Sequence, residues 1–234
     1  MSFYGRNKPN KSEEDYTTPY TTEWIHTLSR VDSDKLRVKR DYTKFVSIDP
    51  GTRNFAIRIE ARGKIHGVER AVKPLYYAVW DIATDKQCKI DPNVPVETYR
   101  NLIAKFEEIK EMIMDVDIIV IERQLPINFK SALMMHSASM IFSMWLKDSP
   151  YYPVIYKVCP KLKGRMLGAP RKISKDELKA WAVVKATELL THQGDTWSIE
   201  VINSTKKADD LSDTVVQLEA LLMFWGHPLA TYTK

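Results

Sequence analysis

Residues 45–59, Phe-Val-Ser-Ile-Asp-Pro-Gly-Thr-Arg-Asn-Phe-Ala-Ile-Arg-Ile, decide how the rest of the chain is read. Phe45, Val46 and Ile48 precede a Pro50-Gly51 break, and Phe55, Ile57 and Ile59 alternate with other residues after it. β-Branched and aromatic residues on either side of a turn predict two strands of a hairpin. Leu75 to Ile82 supplies a third β-rich run. Val96, Tyr99, Leu102, Ile103, Phe106, Ile109 and Ile113 then recur at helical spacing. Ile118 to Ile121 is a short β-branched run of the kind buried in parallel sheets. A helix from about Phe129 to Leu146, apolar on most sides, precedes a fifth strand at Val154 to Val158. Ser174 and Glu177 stand at capping-box spacing and open another helix, and a last one begins near Lys207 with Leu211, Val215, Leu218 and Leu222 on one stripe. This order predicts an α/β sheet.

Upstream the texture changes. Residues 1–44 are about a quarter apolar against 44% for the whole chain, with Pro9, Pro19 and many polar positions, and read as a polar arm, flexible or docking on a partner, ahead of one domain at 45–234. Within it Trp24, Ile25 and Leu28 suit one short docking helix or an incidental apolar patch. No apolar stretch approaches the roughly 20 residues of a membrane-spanning helix. Glu13, Glu14 and Asp15 argue against a secretory or transit peptide, so the expected compartment is intracellular. Cys88 and Cys159 lack metal or disulfide spacing and read as ordinary thiols.

Three places carry acids that a fold alone does not require. Asp49 lies where a hydrophobic strand runs into Pro50-Gly51, so its carboxylate projects at the sheet's centre beside a tight turn. Glu122 directly follows Ile118 to Ile121, and a charge at the end of a buried strand is costly unless it is paired or holds a metal. The bland alternative is a Glu just past the strand's edge, bonded to Arg123 or water. In Lys-Lys-Ala-Asp-Asp-Leu-Ser-Asp, residues 206–213, Asp210 and Asp213 share one helix face. The helix dipole accounts for such a pair at a first turn; a bridging divalent cation accounts for it more specifically. Asp209 leaves a choice of ligand, and the three-residue spacing to Asp213 favours Asp210. Four carboxylates from three separated elements suit two hard cations such as Mg²⁺. Two ions about 4 Å apart can activate a water and stabilise a leaving oxygen in phosphodiester cleavage.

The charge points the same way. The net charge is +5, with 35 basic and 30 acidic residues. The seven basic residues from Lys157 to Lys175, namely Lys157, Lys161, Lys163, Arg165, Arg171, Lys172 and Lys175, have no acid among them. The run is a candidate for phosphate backbones, or else a solvated loop.

Together these motifs resemble the RuvC-like Holliday junction resolvases of the RNase H superfamily, over roughly Lys44 to Leu222. Ser-Ile-Asp-Pro-Gly-Thr-Arg-Asn at 47–54 resembles the family's first-strand motif, Ile-Glu-Arg-Gln at 121–124 its fourth strand, and residues 206–213 its C-terminal acids. Asn-Phe-Lys-Ser-Ala-Leu at 128–133 resembles the helix after that strand. The D-x-G-x-x-N-x-A form from Asp49 to Ala56, with the pair Lys206 and Lys207, is most similar to resolvases of large DNA viruses, of the poxvirus type, and of fungal mitochondria.

The resemblance implies an RNase H-like fold, a mixed five-stranded sheet with helices on both faces. It implies a Mg²⁺-dependent endodeoxyribonuclease that holds two Mg²⁺ per site, Mn²⁺ substituting, on Asp49, Glu122, Asp210 and Asp213. Lys-Leu-Lys-Gly-Arg-Met-Leu-Gly at 161–168 resembles the segment whose lysine approaches the active-site phosphates, a catalytic role that falls on Lys163. Lys175 corresponds to a second functional lysine, with Lys161, Arg165, Arg171, Lys172, Lys206 and Lys207 along the DNA path. The implied partners are branched DNA, a four-way junction, and a second copy in a homodimer, with no membrane. For a viral protein the implied location is the site of viral DNA replication, and a mitochondrial one comes second. Leu125 stands where bacterial members have an aromatic residue that meets unpaired bases.

Rival readings explain less. Asp49-Pro50-Gly51-Thr52 also fits the first phosphate loop of actin-like or sugar-kinase ATPases, but 8 glycines, none in a second phosphate loop, do not build that site. A non-catalytic DNA-binding or virion structural protein explains the basic run but not the four acids. Another RNase H-like nuclease, acting on a transposon end or an RNA–DNA hybrid, is the remaining alternative.

Overall fold

A computed structural model describes residues 25–27, 41–65, 68–84, 93–147 and 153–226. The expected hairpin is there: β2 (Tyr42–Asp49) pairs antiparallel with β3 (Phe55–Ile65), which pairs with β4 (Val68–Trp80). Pro74 is tolerated in β4 because this strand is the outer edge of the sheet, where a missing donor leaves no ladder bond unmade. The chain then crosses through α1 (Val96–Glu108) and α2 (Lys110–Ile113) to β5 (Ile118–Glu122), which lies parallel to β2. After α3 (Phe129–Leu146), β6 (Val154–Val158) adds a further parallel strand beside β5. These five strands form the expected mixed sheet.

A sixth, short strand was not foreseen. Ile25–Thr27, inside the predicted arm, forms β1 and pairs antiparallel with Tyr156 to Val158, giving the order β1-β6-β5-β2-β3-β4. The docking helix expected around Ile25 is therefore a strand, stabilised by non-local pairing that a local apolar cluster does not reveal. Trp24, Leu28 and Cys88 lie outside the described residues, and β2 starts at Tyr42, ahead of the expected boundary.

Two further departures concern helices. The basic run is not one loop: Lys157 belongs to β6, and Lys161–Leu167 forms α4, closed by Gly168 in the left-handed conformation. α5 (Lys175–His192) opens with the expected capping box, Ser174 accepting from the Glu177 amide and Glu177 from the Ser174 amide. Between α5 and the last helix the chain also forms α6 (Thr196–Ser204), capped by Asp195, where no helix was expected. The last helix is α7 (Ala208–Phe224).

Helices cover both faces. Side chains alternate across a strand, so Val46, Ile48, Ile119, Ile121 and Ile155 pack on α1 and α3, where Phe106 is ringed by Phe55, Trp80 and Phe142. The opposite face meets α4, α5 and α7 through Val120, Val158, Leu162, Leu190, Val215 and Leu218. Met134, Met135, Ile141 and Phe142 of α3 are core residues, whereas Met140 and Met144 face solvent. Among the described residues no helix is long and apolar enough to cross a membrane.

Candidate active site

β2 and β5 are parallel neighbours, so their C-terminal ends lie at one edge of the sheet, and Asp49 and Glu122 are the last residues of each. Ile48 and Ile121 point into the α1–α3 layer. By alternation Asp49 and Glu122 stand on the other face, toward α4 and α7. The turn after Asp49 requires glycine: a Cβ on Gly51 would come 2.8 Å from the backbone oxygen of Asn54. α7 brings Asp210 and Asp213 from its first turns.

Lys163, on α4, joins the acids. Its ammonium donates to Glu122 Oε1 at 2.9 Å and pairs with Asp213 Oδ1 at 2.6 Å, and both side chains are largely buried. Gln124 Nε2 donates to the other Glu122 oxygen at 3.0 Å. Burial would lower the Lys163 pKa, but the charges of Glu122, Asp213 and Asp49 outweigh it and hold the ammonium firmly protonated. One cation does not balance the cluster. Burial, then the charges of Glu122 and Asp213, push the Asp49 carboxyl well above the carboxylate range. Asp213 is raised by burial against the pull of Lys163, and Asp210 is pushed up to about 6 by burial and by Asp209.

The choice between Asp209 and Asp210 now has a geometric basis. Lys179 of α5 pairs with Asp209 at 2.5 Å and holds its carboxyl low despite burial. Asp210 Oδ2 is buried and has no hydrogen-bond partner. Among the described residues no three Asp, Glu, His or Cys side chains are gathered tightly enough to enclose an ion as they stand; the Lys163 ammonium lies between Glu122 and Asp213. The donor chemistry nevertheless fits a hard divalent cation: oxygen ligands, an orphaned buried oxygen, and negative charge that one lysine leaves unbalanced.

Of the other expected DNA contacts, Lys207 is near enough for its charge to act on Asp210. Lys161, Arg171, Lys172, Lys175, Lys206 and Lys207 are exposed and Arg165 is half-buried. Lys175 takes no part in the cluster, and Leu125 is exposed in the loop after β5.

Residues missed by the sequence reading hold the site together. Gln217, one turn beyond Asp213, donates to Ser47 Oγ at 2.7 Å and to the Ile48 carbonyl at 2.9 Å, while Ser47 donates to the Thr214 carbonyl at 2.7 Å. These bonds fix α7 against the strand end that bears Asp49. The available signal was a glutamine set among the apolar residues of α7 and a serine within buried β2.

No protein-family model matches the chain, and no curated protein matches it in sequence. Solved structures do. The yeast mitochondrial Holliday junction resolvase Ydc2 is similar at 16% identity, covering 86% of each chain with a TM-score of 0.51. RuvC of T. thermophilus, in complex with a Holliday junction substrate, is similar at 12% identity, covering 79% of this chain and 97% of that one with a TM-score of 0.50. The chain thus has the RNase H-like fold of the RuvC-type resolvases.

Proposed function

We propose that the protein is an endonuclease that resolves four-way DNA junctions by cutting two opposed strands symmetrically. The observation that supports this best is the Lys163 ammonium held between Glu122 and Asp213, with the charge of Asp49 acting on it and that of Asp213 on Asp210, at the sheet edge where the two central parallel strands end. These four acids would hold two Mg²⁺, or Mn²⁺, which when bound supply an activated water and stabilise the leaving oxygen. Lys163 keeps Glu122 and Asp213 on one ammonium and offsets the charge of an entering phosphate. Gln124 orients Glu122. Lys175 and the other cations of residues 161–175, with Lys206 and Lys207, bind the flanking backbone.

The test is cleavage of a four-way junction beside a linear duplex and an RNA–DNA hybrid, with Mg²⁺ and with EDTA. The expected result is paired nicks in the junction alone, with 5′-phosphate and 3′-hydroxyl ends, and only with the metal. Asp213→Asn should abolish turnover and keep junction binding. Preference for the hybrid would assign the chain to another class of RNase H-like nuclease. Full cleavage by Asp49→Asn would end the assignment of the site.

A further inference from the structure

Among the described residues four lysine or arginine side chains are buried: Lys44, Arg58, Lys157 and Lys163. Three meet carboxylates, Lys44 with Asp115 at 2.5 Å, Arg58 with Glu60 at 2.5 Å and Asp195 at 2.7 Å, and Lys163 with Glu122 and Asp213. Lys157 is the exception. It is 9% exposed, and the polar partner of its ammonium is a neutral group, Nδ1 of His136 at 3.4 Å. An ammonium can only donate, so Nδ1 accepts and the ring carries its proton on Nε2. Burial, reinforced for His136 by the Lys157 charge, pushes both groups toward their neutral forms.

Among the described residues no carboxylate meets Lys157, and a buried cation so placed costs free energy that a methionine or leucine in the same place would not. Its position supplies a reason for it. Lys157 pairs in register with Ile121, next to Glu122, and stands two residues after Ile155. It therefore shares the α3 side of the sheet with Ile155 and lies at the edge that bears the acids, on the opposite face. From Arg123 to Lys147, across the loop after β5 and all of α3, the sequence contains no acidic residue. An anion approaching along this surface meets Lys157 without repulsion from that segment.

We propose that Lys157, oriented by His136, binds a backbone phosphate of the DNA on the α3 side of the sheet, a contact separate from the basic segment 161–175. The ammonium supplies a point charge and the His136 Nε2–H a second donor. This inference rests on the DNA-cleaving reading and extends it: the substrate touches both faces of the edge, as diverging arms of a branched duplex do.

The test is equilibrium binding of a four-way junction and of a linear duplex in EDTA, across a salt series. Lys157→Met and Lys157→Gln remove the charge, Lys157→Arg keeps it, and Lys185→Met, on the outer side of α5, is the control. Loss of one phosphate contact should reduce the logarithmic salt slope by about 0.9 and weaken binding about tenfold in both neutral variants. Lys157→Arg and the control should keep the wild-type slope. Melting of Lys157→Met should be unchanged or higher, since the uncompensated charge has gone. Wild-type affinity and slope in both folded neutral variants would overturn the contact, as would a lower melting temperature with an unmoved slope, which marks a structural lysine. A wild type that cuts no junction while the neutral variants still lose the slope removes the resolvase reading and keeps the contact. Intact junction cutting with an unmoved slope does the reverse, and a wild type that binds no DNA removes both.

Discussion

Asp209 and Asp210 are neighbours in sequence with opposite electrostatics. The amino end of α7 favours any anion by about 0.3–1 kcal/mol, and that applies to both. What separates them is the partner. Lys179 draws the Asp209 proton off, whereas Asp210 has a buried oxygen with no donor and a neighbouring negative charge. Burial and the charge of Asp209 push the Asp210 carboxyl up to about 6 despite its place at the helix start. Asp210→Asn should therefore abolish cleavage yet raise the melting temperature in EDTA at pH 7.5, by about 2–4 °C for each kcal/mol relieved in a chain of this size. Asp209→Asn removes only a partly exposed pair, expected to be worth at most about 1 kcal/mol, and should keep cleavage within a few-fold. Scanning calorimetry beside the junction assay checks both. Inactivation by Asp209→Asn with activity retained in Asp210→Asn would reverse the assignment.

At the scale of elements, the face of β3 opposite the aromatic layer carries a polar ladder that ties the sheet to α6 and α7. Arg58 bonds Glu60, Ser198 and the α6 cap Asp195, and lies 4.9 Å over the Tyr77 ring; Arg62 bonds Glu60 and Glu219. Burial pushes the Glu60 carboxyl up, but Arg62 and Arg58 together hold it below its ordinary value. A depressed carboxylate pKa contributes stability that is present above the unfolded value, near 4.5, and is lost as pH falls through the folded one. Glu60→Gln should cost about 3–5 kcal/mol at pH 7, because two buried guanidinium groups lose their shared anion. The difference from wild type should narrow in acid, below pH about 4.5. A loss under about 1 kcal/mol in urea titrations at pH 7 would show that the arginines find other partners. Little of this ladder was legible: Arg58, Glu60 and Arg62 belong to β3, and the partners that bond Arg58 and Arg62 from α6 and α7 are distant in sequence. The strongly patterned elements were legible, β6 and α3 over the residues expected. α4 was hidden by the lysines and arginine that made it look like a loop, and β1 by a pairing with no local signature. The places of Asp49, Glu122, Asp210 and Asp213, at two strand ends and a helix start, were readable. Gln217, Ser47 and Lys179 were not, since their work depends on elements distant in sequence.

At the scale of the whole molecule, the proposed four-way junction has two-fold symmetry, whereas the described residues of one chain hold one acidic cluster. Two opposed cuts need two sites, and a C₂ dimer supplies them by pairing one surface with itself. α3 offers part of such a surface: most of its bulky apolar residues enter the core, while Met140 and Met144, 59% and 62% exposed, remain one turn apart on its outer side. Methionines are adaptable contact residues, and two of them at the centre of a patch suit an anchor that polar neighbours surround. A stable pair buries about 1,200–2,000 Å² in total, so the rim of the contact must extend onto neighbouring surface. Met140→Glu with Met144→Glu places four like charges at the two-fold axis of such a dimer and leaves the packed side of α3 untouched. Sedimentation equilibrium at micromolar concentration should give a dimer for the wild type and a monomer for the double variant. The variant's junction products should change from paired nicks to single, uncoupled ones, because each copy retains its own acids. A wild type that sediments as a monomer, free and with a junction bound, would remove the dimer and with it the paired-cut mechanism. A double variant that stays dimeric would move the interface off α3.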